Sequence, residues 1–263
     1  TGSARVTGGP GTGKTVVALH RAHELAKRAA GPVLVTTFTS TLSASLEAGL
    51  RLLADSAEVL DRIHIRHVDQ LSYQIFSERH GRPAILRDNE EKAIWRKIVK
   101  RLSLPFTETF LAEEWRHVVL AQQVTNAAEY LAAKRAGRGR RLGTKQKAQL
   151  WQAVWEFQEE LRRRDLWTHE TVCVEATHLL NERTDKPYRH IVVDEAQDLH
   201  PVQWRLLRAA VAEGPDDLFI AGDSHQRIYQ SRVSLRDVGI RVTGRSTRLT
   251  INYRTTAEIL AWS

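Results

Sequence analysis

A glycine-rich loop close to the start of the chain constrains the fold more than any other feature of the sequence. Residues 8–15 read Gly-Gly-Pro-Gly-Thr-Gly-Lys-Thr and fit the phosphate-loop pattern G-x-x-x-x-G-K-[ST]. A β-prone run at 3–7 precedes the loop, and a segment of helical composition at 14–30 follows it. Because this pattern binds phosphate between a strand and a helix, the order of the segments predicts an α/β nucleotide-binding domain.

The chemistry of phosphate binding explains the residue types in this loop. Glycines let backbone N–H groups converge on phosphate oxygens, and the helix N-terminus adds a partial positive charge. Lys14 is expected to reach the β- and γ-phosphates of ATP, and the Thr15 hydroxyl to ligate Mg²⁺. The residues predicted to bind the nucleotide are Gly8, Gly9, Pro10, Gly11, Thr12, Gly13, Lys14 and Thr15.

A second segment places carboxylates at the end of an apolar run. Residues 191–193 are Ile-Val-Val, typical of a buried strand, and Asp194, Glu195 and Asp198 follow closely. Ligands collect at the carboxyl ends of parallel strands, so Asp194 is expected beside the phosphate loop, where it would hold Mg²⁺ directly or through water. Glu195 is a candidate for orienting and deprotonating the attacking water.

Strand and helix signals alternate at both ends of the chain, which predicts parallel βαβ units. Further β-prone runs lie at 33–37, 63–66, 190–194 and 218–221, and further helical segments at 39–53, 69–79 and 201–212. Between 88 and 181 strand signals disappear and apolar residues recur at helical spacing, which predicts a helical insertion. The predicted organisation is a core in two parts, the insertion, and the start of a second core domain, at 1–87 and 182–245, 88–181, and 246–263.

Composition excludes two classes of protein. The chain has 263 residues, a net charge of +8 and a single cysteine, Cys173. One cysteine excludes a disulfide framework, and no apolar run approaches the roughly 18 residues of a membrane span. A cytoplasmic protein without a membrane segment is therefore expected, and the absence of methionine indicates a piece of a longer chain. The positive charge is compatible with a polyanionic partner but does not require one.

Three more segments, together with the acidic segment at 194–198, resemble in order motifs of the superfamily 1 helicases of the UvrD/Rep/PcrA type. The sequences are Thr-Phe-Thr-Ser for motif Ia, Asp-Glu-Ala-Gln-Asp for motif II, Gly-Asp-Ser-His-Gln-Arg-Ile-Tyr for motif III and Asn-Tyr-Arg-Thr for motif IV, at 37–40, 194–198, 222–229 and 252–255. The resemblance implies a P-loop NTPase fold of the RecA-like type, in which helices flank a parallel sheet and a helical subdomain is inserted. It also implies ATP hydrolysis with Mg²⁺.

The resemblance assigns further roles in the ATP site. Gln226 would contact the γ-phosphate, and Tyr253 would stack on adenine. Arg254 would reach the γ-phosphate across the cleft between two core domains. For Tyr253 and Arg254 a surface turn is the alternative. The catalytic residues implied are Lys14, Glu195, Gln226 and Arg254.

The same resemblance implies contacts with single-stranded DNA. Phe38 would stack on a base, and Thr39 and Ser40 would lie along the strand, with the Thr39 hydroxyl bound to phosphate. A core position at the end of a buried strand is the alternative for Phe38.

Three positions depart from the family pattern. Val16 stands where the family has an arginine beside adenine, His67-Val68-Asp69-Gln70 where it has Thr-Phe-His-Ser, and Ser231 where it has a base-stacking aromatic residue. The last two departures alter expected contacts with DNA, whereas the residues implied for ATP chemistry are otherwise in place.

The resemblance therefore implies the ATP-binding half of a translocase that hydrolyses ATP to move on single-stranded DNA in the 3′ to 5′ direction, with a 3′-tailed duplex as its partner. Residues 1–263 alone are expected to be monomeric, to bind ATP–Mg²⁺ weakly and to unwind no duplex. Two alternatives stay open. One is a UvrD-like ATPase motor that acts on a protein complex such as stalled RNA polymerase, and the other is a non-catalytic nucleotide-sensing module.

Three weaker signals lie in the insertion. A basic, glycine-containing loop is compatible with a DNA backbone contact or with a solvated loop. Trp151 and Trp155, four residues apart on a helix, are predicted to pack in a core. Cys173 is predicted to be a buried thiol rather than a metal ligand. The basic residues of the loop are Arg135, Arg138, Arg140, Arg141, Lys145 and Lys147.

Overall fold

The computed structural model describes residues 2–28, 31–53, 56–135, 138–139, 141–223 and 234–252. Within them a parallel sheet is flanked by helices on both faces, as the fold class predicted. The strands are β1 Ala4–Gly8, β2 Val33–Thr37, β3 Ile63–His67, β4 Ala84–Ile85, β5 Leu166–Trp167, β6 His190–Val193, β7 Leu218–Gly222 and β8 Ser246–Leu249.

Six strands form the main sheet in the order β3-β2-β6-β7-β1-β8, and every neighbouring pair is parallel. Strands β2, β6 and β7 are buried along their whole length because both faces are covered, which explains their continuous apolar or β-branched sequences. Strand β7 lies between β1, which leads into the phosphate loop, and β6, which ends before Asp194. The two predicted halves of the site are therefore one strand apart.

The helices are α1 Lys14–Arg28, α2 Ser40–Leu53, α3 Ala57–Asp61, α4 Val68–His80, α5 Asp88–Arg101, α6 Glu108–Glu114, α7 Ala127–Ala132, α8 Thr144–Arg163, α9 His169–Glu182 and α10 Pro201–Ala209. Several begin at side chains that accept a backbone N–H of the first turn, at Ser56, Thr107, Asn126 and Thr168. Within the described residues, no helix combines the length and the apolar character needed to cross a bilayer.

Two apolar cores cover the two faces of the main sheet. On one face the buried residues of α1 and α2 pack on Val33, Val35 and Val192. On the other face α4, α9 and α10 pack on Leu34 and Ile191. Helix α1 thus fixes the phosphate loop against the sheet, because the loop joins β1 directly to this buried helix.

The helical insertion has a core of its own. Trp95 of α5 stacks on Phe157 of α8 with ring centroids 4.0 Å apart, and Trp115 meets the same ring edge-on. Strands β4 and β5 pair in parallel at its base, so the two ends of the insertion leave the main domain side by side. Strand β5 lies in a region where the sequence predicted none, because two residues are too few to carry a periodic signal.

Two of the three predicted domain boundaries differ from the structure. Helix α9 was assigned to the insertion at 88–181, but its buried residues Cys173, Ala176 and Leu180 belong to the core of the main sheet. The insertion therefore ends near β5. At the other end, 246–263 was assigned to a second core domain, yet β8 pairs with β1 along Arg5–Gly8. The first core thus continues at least to Leu249.

The predicted tryptophan pair is only half correct. Trp151 stacks on Tyr130 at 5.8 Å, whereas Trp155 is 52 % exposed. The buried face of α8 includes Val154 and Phe157, which leaves Trp155 pointing away from it. The prediction for Cys173 is confirmed, because its thiol is buried and donates to the carbonyl of Val202.

Two arginine side chains of the basic loop are buried in the protein interior. Arg135 and Arg138 both form ion pairs with Glu114 of α6, and all three side chains are at least nine-tenths buried. Neither alternative weighed for the loop, DNA contact or free solvation, describes these two residues. Among the described residues of the basic loop, Arg141 and Lys145 are exposed and stay candidates for phosphate contacts.

Candidate nucleotide-binding site

The phosphate loop adopts the conformation that its glycines allow. Gly11 and Gly13 have φ angles of 74° and 82°, in the left-handed region that L side chains rarely adopt. The Thr12 hydroxyl donates to the Gly9 carbonyl at 2.9 Å. The buried ammonium of Lys14 donates to the carbonyls of Gly8 and Gly9 at 2.8 and 2.9 Å. The lysine therefore lies inside the curve of the loop, where phosphate oxygens would replace the carbonyls as its partners.

The end of β6 meets the start of α1 at this loop. The Thr15 hydroxyl donates to Asp194 Oδ2 at 2.8 Å, across 179 residues of sequence. Asp194 Oδ1 is also buried and has no hydrogen-bond partner among the described residues. Burial raises the pKa of the Asp194 carboxyl, and the Glu195 charge adds to this, while the Thr15 hydrogen bond opposes it.

These two oxygen donors have the chemistry of a magnesium site. A hydroxyl and a carboxylate are the hard ligands that Mg²⁺ takes beside substrate phosphates, and Mg²⁺ completes its shell with water. An unpartnered buried carboxylate oxygen is costly in a protein interior unless a cation or a donor reaches it. Thr15 and Asp194 therefore fit the ion that the sequence analysis expected.

Glu195 follows Asp194 in a strained backbone conformation. Its φ and ψ are 50° and 44°, a left-handed geometry that costs about 1–3 kcal/mol for a residue other than glycine. Its carboxylate accepts a hydrogen bond of 2.5 Å from Gln197 Nε2. The turn directs Glu195 away from the line of β6, and the short helix at Ala196–Asp198 follows.

Comparison with known proteins decides the family. The sequence profile of the UvrD/REP helicase N-terminal domain matches residues 1–237. The chain belongs to the UvrD/REP helicase family. This confirms the resemblance drawn from the motifs, and the RecA-like fold class agrees with the parallel sheet described above.

Two relatives of this helicase family cover the whole chain. The proteins named ATP-dependent DNA helicase UvrD2 in Mycobacterium bovis and Mycobacterium tuberculosis are each 28 % identical to the chain over 292 aligned residues. The alignment includes 99 % of this chain but 40 % of each relative. The chain therefore spans well under half the length of the helicases it matches.

The motif IV segment reaches the phosphate loop in this helicase domain. Asn252 Nδ2 donates to the carbonyl of Pro10 at 2.8 Å. Asn252 belongs to the motif IV segment but had no predicted role, and this contact links the chain beyond β8 to the nucleotide site. The remaining predicted ATP residues, Gln226, Tyr253 and Arg254, lie outside the described residues, as does Ser231.

The residues predicted to bind DNA follow β2 at the carboxyl ends of the strands, the edge of the sheet where the phosphate loop and Asp194 also lie. Phe38 is partly buried, packs against the main core and lines a cleft between core and insertion. Thr39 accepts a hydrogen bond from the backbone N–H of Leu42, and Ser40 is exposed at the first position of α2. The ring of Phe38 thus contacts the core on one side, as the alternative of a core position predicted. Its other side faces a cleft, so base stacking stays a prediction.

Gly222, at the end of β7, lets the two halves of the site come together. A Cβ atom there would lie 2.9 Å from both Ala196 Cβ and Gln197 Oε1, closer than real contacts allow. Gly222 belongs to the motif III segment, but this contact was not predicted from the sequence. The strand between β1 and β6 therefore has to end in glycine for the segment after Glu195 to pack over it.

Gly222→Ala is expected to lower the free energy of unfolding by about 1–3 kcal/mol, because the added methyl group overpacks the contact with Ala196. Chemical denaturation followed by tryptophan fluorescence measures the loss. Gly214→Ala is the matched control, since a Cβ there meets nothing within 4 Å, and its stability should stay within about 0.5 kcal/mol of wild type. Equal effects of the two substitutions would contradict the contact.

Proposed function

We propose that this chain is the ATP-binding half of a motor that hydrolyses ATP to move on single-stranded DNA in the 3′ to 5′ direction. The observation that carries the proposal is the contact between Thr15 and Asp194, which joins the phosphate loop to the acidic end of β6 in one site. Membership of the UvrD/REP helicase family supports the choice of DNA as the track.

We propose a task in hydrolysis for each of these residues. Lys14 exchanges the carbonyls of Gly8 and Gly9 for the β- and γ-phosphate oxygens of ATP, so the loop keeps its curvature while the partner changes. Thr15 and Asp194 would hold Mg²⁺, which when bound neutralises charge that develops on the phosphates. Glu195 takes the proton from the attacking water, for which its position just beyond Asp194 is suited.

Coupling to DNA is proposed to run through the ends of the same strands. Phe38, Thr39 and Ser40 follow β2, which is adjacent to β6 and its acidic end. Gln226 and Arg254 are proposed to sense the γ-phosphate, the first from the segment after β7 and the second from the segment after Asn252. Hydrolysis of the γ-phosphate can thereby alter the affinity for single-stranded DNA bound at the end of β2.

The test measures ATP hydrolysis by the full-length protein with and without single-stranded DNA and a 3′-tailed duplex. We expect DNA to stimulate the rate at least tenfold. Binding should weaken with salt, with a slope of log affinity on log salt of about −0.7 for each phosphate contacted on a single strand. No stimulation by any DNA, or a binding constant independent of salt, would overturn the proposed track.

A second candidate keeps the ATPase and replaces DNA by a protein complex such as stalled RNA polymerase. Acidic side chains outnumber the basic Lys92 and Arg116 in the lining of the cleft beside Phe38, which favours this candidate because an excess of negative charge repels a phosphate backbone. The departures at 67–70 point in the same direction. Stimulation of hydrolysis by polymerase, with none by DNA, would select this candidate. The acidic residues of the cleft are Asp69, Asp88, Glu91, Glu108, Glu113 and Glu170.

A further inference from the structure

The side-chain amide of Gln197 bridges the acidic end of β6 and the end of β7. Its Nε2 donates to Glu195 Oε2 at 2.5 Å, and its Oε1 accepts from the backbone N–H of Asp223 at 2.9 Å. One end of the amide can only donate and the other only accept. The two contacts therefore fix both the position and the orientation of this side chain.

The bridge is tightly packed as well as hydrogen-bonded. Gln197 Oε1 lies where Gly222 has no side chain, at 2.9 Å from the position of a Cβ atom. Among the described residues, the bond from Gln197 is the one side-chain hydrogen bond on the Glu195 carboxylate.

We propose that Gln197 is a positioning residue for hydrolysis, holding the Glu195 carboxylate in one orientation and tying it to the end of β7. The inference rests on the proposed role of Glu195 as the base. A general base misplaced by about 1 Å loses on the order of 10²-fold in rate, so a single bond at this point has a large effect. Because β7 leads directly into 224–233, the bridge also links the base to the segment that carries Gln226.

The first test is a double-mutant cycle with Gln197→Met and Glu195→Gln in the full-length protein. Gln197→Met keeps the length of the side chain and removes both hydrogen bonds. We expect kcat to fall about 30- to 100-fold while the affinity for a fluorescent ATP analogue changes less than twofold. In the Glu195→Gln background the same substitution should cause less than a threefold further loss, measured in single turnovers, because no base is left to position.

Gln203→Met is the matched control. Gln203 on α10 makes the same kind of bridge, donating to Asp69 Oδ1 at 2.8 Å and accepting from the N–H of His200 at 2.9 Å. It is buried, so the substitution removes an equivalent pair of bonds away from the phosphate loop. We expect Gln203→Met to lower the stability. Its kcat for ATP hydrolysis, measured without DNA, should stay within threefold of wild type.

A second variant separates the two bonds. Gln197→Glu keeps the acceptor for Asp223 N–H but removes the donor, and it places a second carboxylate against Glu195, near Asp194, Asp198, Asp223 and Lys14. We expect a loss of kcat at least as large as that of Gln197→Met, because repulsion between the two carboxylates adds to the loss of the donor.

The outcomes separate this inference from the proposed function. If Glu195→Gln leaves hydrolysis intact, the role of the base fails and the inference fails with it. If Glu195→Gln abolishes hydrolysis but Gln197→Met leaves kcat unchanged, only the positioning role is overturned. The positioning role is also overturned if Gln197→Met lowers the rate by the same factor in wild type and in Glu195→Gln. A general structural defect would lower the rate equally in both backgrounds.

Discussion

Asp194→Asn is expected to lower the rate of ATP hydrolysis about 10³-fold and yet leave the nucleotide-free protein at least as stable as wild type. The loss of rate follows from removal of the carboxylate proposed to hold Mg²⁺, an ion worth several kcal/mol of transition-state stabilisation. The retained stability follows from burial, because an ionised carboxylate costs more than an amide where one oxygen lacks a partner.

The stability difference between Asp194→Asn and wild type should depend on pH, in a direction set by the pKa of Asp194. Burial raises the pKa of Asp194 above its ordinary value of 3.8, so the folded state binds a proton more tightly than the unfolded state. The ionised carboxylate therefore costs stability at neutral pH, and the cost disappears as the pH falls through the folded-state pKa. The advantage of Asp194→Asn, measured by denaturant unfolding in EDTA, should be largest at neutral pH and shrink on acidification.

Asp217→Asn is the control with the opposite sign. Asp217 is equally buried but accepts hydrogen bonds from Ser3 and Arg208 at 2.7 and 2.8 Å. Although burial acts to raise it, these bonds hold the pKa of Asp217 below its ordinary value. The substitution should cost about 2–4 kcal/mol at neutral pH, less as the pH falls, and leave kcat within threefold.

Two outcomes would contradict the pair of predictions. A large loss of stability in Asp194→Asn would show that its carboxylate is satisfied in the free protein. Hydrolysis at the wild-type rate would remove Asp194 from the site. Binding of a fluorescent ATP analogue with and without Mg²⁺ separates the steps, because only the Mg²⁺-dependent part of the affinity should be lost.

The elements that the sequence predicts well are those whose signal is local. The phosphate loop carries its own glycines, and apolar and β-branched residues dominate β2, β6 and β7 because both faces of a parallel strand are buried. The strand end at Asp194 follows from the same logic. These features position the candidate ATP site, which is why the motif order was enough to predict the fold.

The features that the sequence did not predict depend on partners distant along the chain. Helix α9 is amphipathic, but its periodicity does not reveal whether it packs on the insertion or on the main sheet. Edge strand β8, Ser-Thr-Arg-Leu, is almost fully exposed and has no apolar alternation. The bridge made by Gln197 depends on an N–H 26 residues away, at Asp223. Contacts of this kind become visible only when the topology is known.

The basic loop shows the same limit most clearly, because its charge suggested a surface function. Glu114 lies in the middle of a buried ion cluster, with its side chain fully inaccessible. It accepts from Tyr130 at 2.7 Å and from Arg135 at 2.6 and 2.9 Å. Arg138 donates to it at 3.3 Å. Burial acts to raise the pKa of Glu114, but the bonds from Arg135 and Tyr130 outweigh it and lower the pKa below its ordinary value.

Glu114→Gln is expected to lower the free energy of unfolding by about 3–5 kcal/mol, because two buried guanidinium groups lose the charge of the carboxylate that they share. At about 2–4 °C for each kcal/mol, the melting temperature falls by at least 6 °C. The folded pKa of Glu114 is depressed, so the difference from wild type is full at neutral pH and is lost as the pH falls through that pKa. Thermal and denaturant unfolding followed by tryptophan fluorescence measure both effects, since Trp95 and Trp115 lie in the insertion core.

Glu113→Gln is the matched control, one residue earlier on the same helix. Glu113 pairs with Arg138 at 3.1 Å, but its side chain is 49 % exposed, so water replaces the lost partner. We expect a change of less than about 1 kcal/mol. If the two substitutions lower the free energy of unfolding equally, the arginines do not depend on Glu114. The loop is then again a candidate phosphate-binding surface. A large difference means that Arg135 and Arg138 serve the fold of the insertion, and that Arg141 and Lys145 are the exposed candidates for DNA contact among the described residues of the loop.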